Sequence, residues 1–110
     1  MKHTEPLNQN YQFRRLYRVG KNIVDPYVAI YYKANRLKNN RLGITATKKI
    51  GCAVERNRAR RIIKEAYRLS EDALPVGMDI VVVARKKAVF AKMQNIRTSL
   101  RKAFKEGPAI

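Results

Sequence analysis

Between Glu55 and Arg68 the chain places Arg56, Arg58, Arg60, Arg61, Lys64 and Arg68 against only two acids, Glu55 and Glu65. Arginine carries planar, bidentate donors that match a phosphate, and Asn57 in their midst both donates and accepts at a sugar or base edge. The chemistry on offer is recognition of anionic oxygen. At about 100° per residue, Asn57, Arg60, Arg61, Lys64 and Arg68 gather on one side of a helix, and positions 57, 61, 64 and 68 form nearly a straight row. Ala59, Ile62, Ile63, Ala66 and Leu69 make an apolar stripe on the other side. Like charges at i, i+4, such as Arg60 and Lys64, cost an isolated helix roughly 0.2–0.5 kcal/mol per pair. Solvated helix faces usually mix signs, and this one does not. A polyanion is the implied partner. Such a helix suits RNA and equally a DNA major groove, and composition does not separate the two.

The rest of the chain offers little reactive chemistry. Glu5, Asp25, Glu71, Asp72, Asp79 and Glu106 are scattered without pairing, His3 is the only histidine and Cys52 the only cysteine. That excludes an internal disulfide and a cysteine-based metal site. There is no glycine-rich phosphate loop, metal-ligand spacing or nucleophile with a base at hand. If the protein serves an enzyme, its own side chains are not expected to perform the chemistry.

The 25 Lys and Arg against 8 Asp and Glu give a formal net charge of +17 on 110 residues. A folded chain with that imbalance repels itself, which again calls for a polyanion. The 45% apolar content supports one hydrophobic core, and the length suits one domain. No apolar run approaches the roughly 20 residues that span a bilayer, and Met1 to Pro6 lacks a signal-like apolar stretch. The expectation is a single-domain cytosolic protein with no membrane partner, residues 1–6 disordered and His3 in a frayed terminus.

The elements that must position the basic helix follow from periodicity. A helix is expected from Asn8 or Asn10 to Val19, with Asn10 as N-cap, Gly20 as stop, and Phe13, Leu16 and Tyr17 on one stripe. That stripe is either core or partly turned toward a ligand groove. Tyr27 to Tyr32 reads as a strand, Asn35 to Asn40 as a hairpin-like loop, and Leu42 to Thr47 as a second strand. Alternation puts Val28, Ile30, Tyr32, Leu42, Ile44 and Ala46 on one sheet face. Tyr27, Ala29, Tyr31, Gly43, Thr45 and Thr47 fall on the other. A tyrosine- and threonine-bearing face can stack and hydrogen-bond bases, although such faces also occur without ligands. The basic helix runs over 54–70, Ile80 to Ala84 reads as a central strand buried on both faces, and a last helix aligns Val89, Met93, Ile96, Leu100 and Phe104. The order is helix, strands, helix, strand, helix, an α+β pattern.

One local stretch is specific. Lys48-Lys49-Ile50-Gly51 followed by Ala53-Val54-Glu55-Arg56-Asn57-Arg58-Ala59-Arg60-Arg61-Ile62-Ile63-Lys64-Glu65 closely resembles the signature of the bacterial ribonuclease P protein subunit. Leu7, Phe13, Leu16, Tyr17 and Gly20 are similar to that family's first helix. Arg41 to Ile44 and Asp79 to Lys86 are similar to the strands on either side of the signature. Ala59 and Lys64 stand where the family often has a larger aliphatic residue and Arg, and Tyr17 where Phe is usual.

The resemblance implies a two-layer α/β sandwich, with a four-stranded sheet and a left-handed crossover through the basic helix. It implies that the catalyst is an RNA, which with magnesium hydrolyses the bond joining the 5′ leader to precursor tRNA. The protein then binds the catalytic RNA and the leader. Magnesium would be held mainly by the RNA, and DNA is not an expected partner. Carried over by position, Lys48, Lys49, Arg56, Asn57, Arg58, Arg60, Arg61, Lys64 and Arg68 would meet the catalytic RNA. Phe13, Tyr17, Ala29, Tyr31 and Thr45 would form the leader cleft, with Lys49 nearby. These cleft positions agree with the polar sheet face read from alternation alone. The alternative is a non-catalytic structural RNA binder of the ribosomal-protein kind.

Overall fold

The apolar run at 80–84 takes the middle of the sheet. In the computed structural model, which describes residues 4–7 and 9–106, the chain forms β1 (Thr4–Pro6), α1 (Asn10–Val19), β2 (Lys21–Val24), β3 (Val28–Ala34), β4 (Asn40–Thr45), α2 (Ala53–Ser70), β5 (Met78–Ala84) and α3 (Met93–Glu106). The strand order is β1-β4-β5-β3-β2. β5 runs parallel to β4 and antiparallel to β3, with Val81 and Val82 fully buried. The result is an α+β fold with three α-helices and a five-stranded mixed sheet. The parallel pair β4–β5 is joined through α2, as parallel strands require a crossover.

Several expectations are corrected. The sheet has five strands, not four, because short strands close both edges. β2 pairs with β3 across a turn in which Asp25 Oδ1 accepts from the N–H groups of Tyr27 at 2.8 Å and Val28 at 2.9 Å. The stretch at 35–40 is not a hairpin, since β5 separates β3 from β4. A strand apolar on both faces gains most in the centre, and it displaces the pairing that chain proximity suggested. Residues 4–6, expected to be disordered, form β1 beside β4. Residues 1–3, with His3, and Asn8 as a helix start lie outside the described residues.

A buried polar chain explains why β1 is held. Asn40 Nδ2 donates to the Tyr67 hydroxyl at 3.2 Å and to Pro75 O at 2.8 Å, while Asn40 Oδ1 accepts from Met78 N at 2.8 Å. The Tyr67 oxygen lies 2.8 Å from Thr4 Oγ1, and Thr4 in turn donates to the buried Glu71 carboxylate. With Asn40 donating to Tyr67, the protons run in one direction and end on a carboxylate, which only accepts. Burial pushes the Tyr67 phenol above its ordinary value.

The two sheet faces sort as alternation predicts. Val28, Ile30, Tyr32 and Leu42 are buried with Ala59, Ile63, Ala66 and Tyr67 of α2 and Ile96 and Leu100 of α3. On the other face Leu16 of α1 packs on Leu7 and Val81, with Phe13, Tyr31 and Val83 partly buried around them. The two-layer expectation is therefore incomplete, because α1 adds a partial third layer. On α2 the buried stripe contains Tyr67, while Leu69 is 41% exposed. The N-cap of α1 is Gln9, not Asn10: its backbone N–H donates to Gln12 Oε1 at 3.1 Å in a capping box. Gly20 closes α1 in an extended conformation. Val89 belongs to a 3-10 turn before α3, where it is still buried.

Candidate nucleic-acid interface

Helix α2 begins where Gly51 and Glu55 meet. The Glu55 carboxylate accepts from Cys52 N at 3.0 Å, and this hydrogen bond holds Glu55 below the ordinary glutamate value. Gly51 has φ 155 and ψ −168, a backbone region open essentially to glycine, and a Cβ there would strike the Glu55 carboxylate. The Lys-Ile-Gly turn and the basic helix are thus one structural unit. Lys48 and Lys49 are exposed on its 3-10 turn, just beyond Thr45.

The structure divides the cationic row by partner. Arg58 Nε donates to Val89 O at 2.9 Å, which ties this side chain to the turn before α3. Arg60 donates to Asn57 Oδ1 at 2.9 Å and to Ala46 O at 3.1 Å, so it spans from the row to the end of β4. Arg68 pairs with Glu65, whose carboxyl this contact holds low. Arg56 keeps a buried Nε with no hydrogen-bond partner among the described residues. Arg61 and Lys64 are exposed and make no hydrogen bond or ion pair among the described residues. They are the freest cations of the row. Val54, Asn57, Arg60 and Arg61 line a shallow concavity of about 560 Å³ on the helix surface.

On the opposite sheet face, strand register assembles the second candidate set. Thr45, Val83 and Ala29 form one row across β4, β5 and β3, and Gly43, Val81 and Tyr31 form the next. Tyr17 of α1 stands over them. Its ring meets Tyr31 edge-on at 4.9 Å between centroids and 81° between planes, and its hydroxyl lies 3.4 Å from Thr45 Oγ1. Tyr17 is 42% exposed, so a usable aromatic face remains. Tyr17, Tyr31, Thr45 and Ala29 therefore come together as expected from position. Phe13 is seated deeper, with its ring over Gly43 in the Leu7–Leu16–Val81 cluster. Lys49 is exposed and makes no hydrogen bond or ion pair among the described residues.

Sequence patterns could not show that the two surfaces adjoin. Phe13 and Lys64 line the same groove of about 430 Å³, at the sheet edge where β1 stops and β4 continues. Val83, read only as core, is half-buried between Ala29 and Thr45 in the cleft floor, while Val81 beside Tyr31 is fully buried in the Leu7–Leu16 cluster. Pairing register is the missing signal, because it depends on β5 inserting between β3 and β4. Among the described residues no three His, Cys, Asp or Glu side chains gather as metal ligands, and no helix is long and apolar enough to cross a membrane.

A net charge of +17, a cationic helix and an adjoining aromatic sheet face define a small basic nucleic-acid-binding protein of α+β fold. The family model described as Ribonuclease P matches residues 1–107. The ribonuclease P protein component of Thermoanaerobacter sp. (strain X514) is 38% identical over 102 residues, covering 93% of this chain and 88% of the relative. That of Clostridioides difficile (strain 630) is 39% identical over 103 residues, covering 93% and 90%. Among solved structures, the RNase P protein of Thermotoga maritima superposes with a TM-score of 0.83 at 28% identity, over 96% of this chain and 99% of that one. The Staphylococcus aureus RNase P protein gives 0.79 at 31% identity, over 91% and 92%. The chain belongs to the bacterial ribonuclease P protein component family, the protein subunit of a tRNA-processing endoribonuclease.

Proposed function

We propose that this protein anchors itself to the catalytic RNA of ribonuclease P through α2 and holds the 5′ leader of precursor tRNA against β3, β4 and α1. The observation that carries this reading is the grouping of Tyr17, Tyr31 and Thr45 beside a groove shared by Phe13 and Lys64. A strand stacked on Tyr17 or Tyr31 lies within one continuous surface of the helix row. Arg61 and Lys64 are available for phosphates, while Arg60 and Asn57 form a pre-ordered pair beside them. With the leader fixed, the scissile bond is delivered to the RNA in a narrow range of orientations, and binding free energy becomes orientation.

Magnesium is assigned to the RNA. Five of the eight carboxylates have partners of their own: Asp25 accepts from backbone N–H groups, Glu55 caps α2, Glu65 pairs with Arg68, Glu71 accepts from Thr4, and Asp79 pairs with Arg41. A magnesium site on the protein would need oxygen ligands gathered in octahedral geometry. The left-handed sense of the β4–α2–β5 crossover is carried over with the family as part of this reading.

The test is precursor-tRNA cleavage by the bacterial catalytic RNA at low magnesium, with and without this protein. Stimulation of cleavage supports the assignment. Binding to structured RNA without stimulation would favour a ribosomal-protein-like structural role, and equal affinity for duplex DNA would remove the RNA-specific reading altogether.

A further inference from the structure

Helix α1 divides the outer sheet face into two grooves. Phe13 and Tyr17 look toward one, the cleft described above. On the opposite flank, Tyr11 and Arg15 face Lys33, Arg36 and Arg41 across a groove of about 540 Å³, with Asp79 as the carboxylate in its lining.

The pairing inside this groove decides its chemistry. Arg41 Nε and Nη2 each lie 2.7 Å from one oxygen of Asp79, and Asn35 Nδ2 donates to the same carboxylate at 3.0 Å. Asp79 is thereby neutralised and Arg41 is held with it, its own pKa raised by the contact. Arg15, Lys33 and Arg36 are exposed and make no hydrogen bond or ion pair among the described residues, although Lys33 is the register partner of Asp79. Arg36 stands at φ 61, a left-handed conformation uncommon for a residue with a Cβ. Its loop is pinned by Asn35, whose Oδ1 accepts from Leu37 N at 2.8 Å and whose N–H donates to Gly77 O at 2.9 Å. Tyr11, 63% exposed, stands at the rim. Uncompensated cations along a concave track, with an exposed ring beside them, are the means by which proteins hold single-stranded nucleic acid.

We propose that this second groove binds single-stranded RNA, namely the 5′-distal part of a precursor leader after it has left the Tyr17–Tyr31 cleft. The inference rests on the leader reading above. Both grooves open on the sheet face away from the α2 and α3 core. They are separated only by α1, roughly 10–12 Å across. The outer surface of α1 carries Arg14 and Arg18, both exposed, so a strand crossing it keeps cations beneath its backbone. The Tyr11 ring then stacks a base, and Arg15, Lys33 and Arg36 bind phosphates.

The experiment compares holoenzyme affinity for precursor tRNAs with short and long leaders across a salt series. The triple variant Arg15→Gln, Lys33→Gln, Arg36→Asn leaves the Arg41–Asp79 pair intact, and Asn suits the left-handed backbone at position 36. Long-leader affinity is expected to fall roughly tenfold or more while short-leader affinity is unchanged. The log–log salt slope for the long leader should drop by about two, at roughly 0.7 per neutralised phosphate of a single strand. Arg15→Gln alone, on an exposed helix surface, should lower the slope by about 0.7 and guards against a folding defect in the triple variant. Unchanged long-leader binding overturns the proposal. So does an equal loss with short-leader or leaderless tRNA, or a loss confined to affinity for the catalytic RNA. If Tyr17→Ala and Tyr31→Ala also leave leader binding untouched, the leader reading itself fails. If they weaken it while the triple variant does not, only the second groove is lost.

Discussion

The ring of Phe13 occupies the space that a side chain at Gly43 would need: a Cβ there would stand 2.6 Å from two ring carbons. Gly43 pairs with Val81 at the centre of the sheet, so the missing side chain lets α1 settle onto the strands. One turn later the same helix sets Tyr17 against Tyr31. Replacing Gly43 by Ala should destabilise the protein by about 1–3 kcal/mol in urea unfolding, as overpacking does. Phe13→Leu in that background should recover part of the loss, because the two changes act on the same ring-to-backbone approach. A neutral Gly43→Ala would show that α1 is seated by other residues.

The partners along α2 predict that its arginines are not equivalent. Arg61→Ala and Lys64→Ala should leave stability nearly unchanged and weaken catalytic-RNA binding. The salt slope should fall by about one for each phosphate that is no longer neutralised. Arg58→Ala should instead act through the fold, since it leaves Val89 O without its side-chain donor. Thermal unfolding beside salt-dependent binding separates the two classes. An Arg61 and Lys64 double variant with an unaltered salt slope would remove α2 as the anchor.

Tyr17→Ala and Tyr31→Ala should each cost roughly 1–3 kcal/mol in leader-dependent affinity, the range for base–aromatic stacking. Tyr17→Phe should cost little, because the hydroxyl sits 3.4 Å from Thr45 Oγ1 and makes at best a long hydrogen bond. Comparing precursor with leaderless tRNA isolates the effect. A loss of equal size on both substrates would point to the tRNA body or to folding.

The start of α2 carries a pH dependence. The folded pKa of Glu55 lies below its ordinary 4.5, chiefly through the Cys52 N–H. Its contribution is therefore fully present above that value and is lost as the pH falls through the lower, folded value. Amide exchange at the first turn of α2 should rise over that acid range, and Glu55→Gln should abolish the dependence. Gly51→Ala should impair the same turn at any pH, by about 1–3 kcal/mol of backbone strain. Protection that ignores both changes would mean that this turn is held by packing and not by its cap.

The sequence alone was enough for whatever depends on short-range periodicity and charge. Helical spacing predicted the cationic row of α2, and alternation predicted which face of β3 and β4 would be polar. The flanks of Arg56-Asn57-Arg58 supported the family resemblance. What lay beyond it depended on partners far apart in the chain. β1 and β2 are too short to show a period, and their order comes from Thr4 meeting Tyr67 and from the Asp25 turn. The insertion of β5 between β3 and β4 decided the register, which brought Tyr31 and Thr45 beneath Tyr17 and Lys64 to the groove of Phe13. The Arg68–Glu65 pair is local to the helix, but only the tertiary structure decided that Arg58 is spent on Val89 and Arg60 on Ala46 while Arg61 and Lys64 stay free. A charge count is local, whereas its compensation is set by whatever the fold places within hydrogen-bonding distance.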